Sequence, residues 1–199
     1  MPVKGGGLAE KIEVFPRQDE LRVRKLPSID VGALSFQYVR SSKRDFAAEL
    51  GALGYPGFSY LKQRTGANPA RVLLDAIDES DLDTRVAEGL PWLAMNYVEM
   101  DWDWLVRNAK LQNRQNRLGF VVSLACELVE SKNDTERIRN LRQCLDILEE
   151  ARLGPEDTFC RESMTHVEKA WLRENRSATA AHWNLLTDMK GKDLPYVAP

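Results

Sequence analysis

The sequence predicts an all-α protein, an irregular multi-helix bundle of about seven to nine helices with an extended N-terminal arm. Three observations carry that expectation. Apolar residues recur at three- and four-residue steps through most of the chain, the period of a helix face. Cap and turn signals such as Asn68-Pro69, Asn133-Asp134-Thr135 and Gly154-Pro155 punctuate those stretches. Strand-like alternation is confined to Ile12-Glu13-Val14 and Leu21-Arg22-Val23-Arg24.

The 199 residues are enough to bury a core in one domain. Hydrophobic content of 43% and charged content of 29% read as a soluble globular chain. A formal net charge of −2 means that any contact with phosphate must come from a local patch. No apolar run is long enough to cross a bilayer and no secretory signal opens the chain, so a cytoplasmic location is expected. Cys126, Cys144 and Cys160 are odd in number and widely spaced, which suits reduced core residues.

Residues 1–28 read as an extended or flexible arm, with Gly5-Gly6-Gly7 and nearby prolines, or as a segment that orders on another chain. Residues 29–190 read as the helical domain and 191–199 as an irregular tail. Val31, Leu34 and Tyr38 are helix-spaced, as are Phe46, Leu50 and Leu53. Gly54-Tyr55-Pro56-Gly57 marks a turn, and Phe58 starts a short helix that Gly66 stops. Asn68 caps a helix with Pro69 in its first position, burying Val72, Leu73, Ala76 and Ile77. Thr84–Met95 continues helically, and Pro91 should kink or split it. The helix at 117–130 and the one carrying Ile138, Leu141, Leu145 and Leu148, with Ala151-Arg152 near its end, should pack antiparallel across a short turn at Lys132–Asp134. Thr165 and Glu168 form a capping box for the next helix. A last helix spans Ala178–Met189.

The stretch Glu99–Glu130 organises the chain. Trp102, Leu105, Val106 and Ala109 form one apolar face, with Asp101 as N-cap. Leu118, Val121, Val122, Ala125, Leu128 and Val129 form another. At about 100° per residue the two stripes would face nearly opposite sides of one rod, so a break is expected within Gln112–Asn116. An unbroken helix would also place Arg107, Lys110, Arg114 and Arg117 in line with the later core face. The joint is rich in cations and amides and lacks acids. Arg107, Lys110, Gln112, Asn113, Arg114, Asn116 and Arg117 therefore form the expected surface for a carboxylate- or phosphate-rich partner. The competing reading is a solvated helix end with internal caps.

Signals for chemistry are weak. His166 and His182 are far apart in sequence, there is no HExxH or CxxC, and no metal or cofactor is expected. No nucleophile motif or phosphate-binding glycine loop is present, so no catalytic residues and no enzymatic activity are expected. Glu99, Asp101 and Asp103 alternate as metal-binding carboxylates do, but they open a helix and suit capping better. The alternative function is a DNA-binding regulator using short helices in residues 45–77, with Arg64 and Arg71 on phosphates.

The segment LPWLAMNYVEMDWDWLVRNAKLQNRQNRLGFVVSLACEL, with the later AHWNLLTDM, resembles a family of small bacterial helical proteins. These are encoded beside nucleotidyltransferase toxins of the abortive-infection type and act as their antitoxin-like partners. The resemblance covers roughly Phe36–Met189 and rests on the Trp-rich and Asn-Gln-Arg segments. It implies a regulatory, non-enzymatic protein that binds and neutralises a partner enzyme. It also implies possible binding to its own operator, although this chain lacks a winged-helix start.

Overall fold

The computed structural model describes residues 44–61, 66–130 and 134–195. They belong to one compact unit, Lys43–Pro199. The expected N-terminal arm, its short strands, the helix at 29–41 and the boundary at residue 29 lie outside the described residues. Within them the fold is all-α, as expected, with eight α-helices and one two-stranded sheet. Among the described residues no helix is long and apolar enough to cross a membrane.

Helix α1 (Phe46–Ala52) is capped by Asp45, whose carboxylate accepts from Ala48 N. It ends in a Schellman motif: Gly54 adopts φ +87°, and the Gly54 and Tyr55 amides reach back to Gly51 O and Leu50 O. A 3₁₀ turn, Pro56–Phe58, follows in place of a helix starting at Phe58. Helix α2 (Pro69–Asp78) has the expected Asn68 cap and buries the expected Val72, Leu73, Ala76 and Ile77.

Helix α3 (Thr84–Asn96) is capped by Asp83 and is not split at Pro91. Leu90, Pro91, Leu93 and Ala94 are all buried against the core, so packing holds the segment helical despite the missing N–H. Helices α4 (Trp102–Leu111) and α5 (Gln115–Glu130) are separate. The Asp101 carboxylate accepts from Trp104 N, which makes it a cap. Helix α6 (Thr135–Glu149) is capped by Asp134.

Helices α5 and α6 form the most extensive contact of the fold. They are antiparallel, because the start of α5 bonds the chain just beyond the end of α6: Gln115 Nε2 donates to Ala151 O and Asn116 Nδ2 to Leu153 O. Helix α5 also packs against α2, α3 and α4 and is buried around most of its circumference, Phe120, Leu124 and Cys126 included. It is the axis of the core.

Beyond α6, strand β1 (Asp157–Thr158) pairs in parallel with β2 (Leu185–Leu186). Helix α7 (His166–Asn175) opens with the expected Thr165–Glu168 capping box. Helix α8 is only Ala178–His182, not 178–189. Asn184 takes φ +54°, which stops the helix, and its side-chain amide donates to Leu153 O. The next two residues are then extended and join β1. Trp183, 2% exposed, keys onto α5, where a Cβ on Gly119 would lie 2.4 Å from its ring. Its indole N–H donates to Ser123 Oγ at 2.8 Å. Gly191 packs beside Glu127 and Leu194 is buried, so the described part of the tail is tied to the core.

Candidate functional site

The expected break lies at Gln112–Arg114, and its geometry explains why the chain turns there. Asn113 adopts φ +57°, a left-handed conformation that Asn tolerates better than most residues. Its N–H bonds Lys110 O at 3.2 Å and the Arg114 N–H bonds Ala109 O at 2.7 Å. Those two bonds are the Schellman pair, so α4 ends with its last carbonyls satisfied and α5 leaves in a new direction.

The turn sorts the seven expected partner-contact residues into two sets. Arg107, Gln112 and Asn113 are exposed and Lys110 is half-buried. Among the described residues none of their side chains makes a hydrogen bond or ion pair. Leu111 lies among them with 75% of its surface in solvent.

Asn116 and Arg117 are buried and the part-exposed Arg114 is engaged by carboxylates of this chain, which corrects the expectation that they offer a free surface. Arg117 is fully buried, and all five of its N–H donors are matched. Nε and one Nη2 hydrogen grip the two Asp157 carboxylate oxygens at 2.8 and 3.0 Å. The other Nη2 hydrogen reaches Glu162 at 3.2 Å. Nη1 donates to Ile77 O and Glu79 O, both at 3.0 Å, at the end of α2. Arg114 is held by Asp78 at 2.7 Å and lies 3.8 Å from Asp157. Asn116 clasps the Leu153 peptide, donating to its carbonyl at 2.9 Å and accepting from its N–H at 2.8 Å.

The electrostatics follow from this enclosure. Burial alone would lower the Arg117 pKa, but the Asp157 carboxylate together with its other acidic neighbours, Glu162 included, outweighs it and raises it. Burial alone would raise the Asp157 carboxyl, but Arg117 holds it below the usual carboxylate range. Arg117 is sealed from solvent while the carboxylates that answer it, Asp157 and Glu162, stay partly exposed. Here it joins α2, α5 and the 157–162 segment, and it is an internal clamp.

The remaining candidates are structural. Cys126, Cys144 and Cys160 are free and buried, as expected. Burial pushes their thiols up to about 11, 12 and 12 respectively, far from nucleophilic thiolates. His182 is half-exposed, with Nε2 2.7 Å from Glu149 and its ring edge-on to Trp183. His166 is exposed at the start of α7.

The sequence reading missed the apolar Leu111 at the centre of the outer set and the internal role of Arg117. The signal for the second was present. Arg117, Val121, Leu124 and Leu128 share one helix face, and a guanidinium on a core face needs carboxylates from elsewhere. No model of a known protein family matches the chain, and no curated protein or solved structure matches it.

Proposed function

We propose that this chain is a non-enzymatic protein–protein interaction module, an antitoxin or other regulatory subunit. In this reading it binds and neutralises a partner enzyme of the nucleotidyltransferase type. The supporting observation is the tip of α4, where exposed Leu111 sits among the unpaired cations Arg107 and Lys110 and the free amides of Gln112 and Asn113. An apolar anchor ringed by polar donors is the pattern of a binding hot spot. The cations suit an acidic cleft such as one built to hold magnesium and nucleotide. The contact set is thus Arg107, Lys110, Leu111, Gln112 and Asn113, without Arg114, Asn116 and Arg117.

The test is co-expression of the full chain with the product of the adjacent open reading frame. Co-elution and relief of growth arrest are expected for the natural chain, and both should be lost in the Arg107→Glu, Lys110→Glu, Leu111→Asp variant. Retention of both by that variant would remove the α4 tip from the reading. The alternative, a DNA-binding regulator using residues 45–77, has less support. Arg71 is held by Asp75 and lies over the Trp104 ring, and Arg64 lies outside the described residues.

A further inference from the structure

A second surface stands apart from the α4 tip and does not rest on it. The start of α1, the 3₁₀ turn and the start of α3 enclose a cleft of about 460 Å³, floored by Phe46, Phe58, Leu82 and Val86. It continues past Phe58, Tyr60 and Arg85 into a second hollow of about 400 Å³. Each volume falls in the range of pockets that hold ligands, about 300–1,000 Å³. Tyr60, 71% exposed, stands between the two with its ring uncovered.

Among the described residues the rim carries four carboxylates, Asp45, Glu79, Asp81 and Asp83. Two of them cap α1 and α3, and Asp81 accepts from the Ser163 hydroxyl and N–H. The Glu79 side chain has no partner, and none of the four is in an ion pair among the described residues. Of the two rim arginines among the described residues, Arg44 is committed to Glu49 and Asp75, and Arg85 makes no ion pair with a described residue. An apolar floor under an acidic rim selects for apolar side chains flanked by positive charge.

We propose that this cleft docks a segment of a partner protein in which aliphatic side chains alternate with Arg and Lys. The aliphatic groups enter the cleft over Phe46, Phe58 and Val86, and the cations meet the rim carboxylates.

The test uses the full, isotopically labelled chain and a short synthetic peptide, blocked at both ends, with Leu or Val alternating with Arg or Lys. Backbone amide shifts should be confined to residues 46–47, 58–61 and 82–86, and binding should weaken as salt rises. The triple variant Asp45→Asn, Glu79→Gln, Asp83→Asn keeps the helix caps, because Asn caps as well as Asp. It should bind the peptide at least about tenfold more weakly, roughly 1.4 kcal/mol. Four results would overturn the proposal: no saturable shifts, shifts spread outside the cleft, unchanged affinity in the triple variant, or equal binding of a peptide whose Leu and Val are replaced by Ser. Shifts at the same residues on concentrating the chain alone would assign the cleft to a second copy and equally overturn it.

Discussion

Arg107 and Arg117 are the same residue type, one on each side of a single turn, and they have opposite fates. Arg107 extends into solvent with no partner among the described residues. Arg117 is sealed in the core with every donor matched. The difference comes from the elements around them and not from their own chemistry. Arg107 sits on the outer face of α4. Arg117 sits one helical turn before Val121 on the central helix, where the ends of α2 and β1 converge on it. A basic stretch read as one patch is therefore two structures, a docking tip and a clamp, divided at the left-handed Asn113.

The largest effect should come from breaking the clamp. Arg117→Met leaves Asp157 with only the more distant Arg114, Glu162 without its cation, the Glu79 carbonyl without its donor and the Ile77 carbonyl with only the Cys160 thiol, and should destabilise the fold by about 3–5 kcal/mol in urea denaturation at neutral pH. The acid dependence sharpens the point. In the natural chain the depressed Asp157 carboxyl contributes stability present above its unfolded pKa, about 3.9, and lost as pH falls through its lower folded value. In Arg117→Met only the Thr158 amide and Arg114 still hold that carboxyl down against burial, so the stability lost on acidification should shrink. An unchanged pH profile would show that Arg117 does not set the charge state of Asp157.

A smaller loss is expected for Asn116→Ala. It leaves the part-buried Leu153 N–H unpaired and takes one of two donors from its carbonyl, a cost of about 1–2 kcal/mol. Calorimetric unfolding would measure it. The smallest effect belongs to the other side of the turn. Arg107→Glu with Lys110→Glu should move stability by less than about 0.5 kcal/mol, because neither side chain has an internal partner. A large loss there would erase the contrast and make the α4 tip structural as well.

Local signals were legible in the sequence wherever a short stretch decides its own structure. The caps at Asn68, Asp101, Asp134 and Thr165, the break after α4 and the antiparallel α5–α6 pair follow from spacing and end chemistry. What was not legible depends on distant residues. Helix α8 stops early because Asn184 and the two leucines after it are captured by Leu153 and β1, some thirty positions back in the chain. Pro91 sits inside a continuous helix because the core packs around it. Arg117 was assigned to the surface because the carboxylate that claims it, Asp157, lies about forty residues further on, in a loop without periodicity of its own. Leu111 was overlooked because an exposed leucine carries no signal until its neighbours are placed.

The clamp has a consequence for the order in which the chain can be made. Its ligands come from residues 77–79 on one side and 157–162 on the other, and the Trp183 ring fills the hollow over Gly119 still later. A nascent chain that has left the ribosome only as far as α6 holds a guanidinium aimed at a core without its counterions, beside a helix lacking its aromatic cover. The bundle cannot close until residues 157–183 arrive. Premature termination anywhere before Trp183 should therefore yield a target for proteolysis and not a shorter working protein.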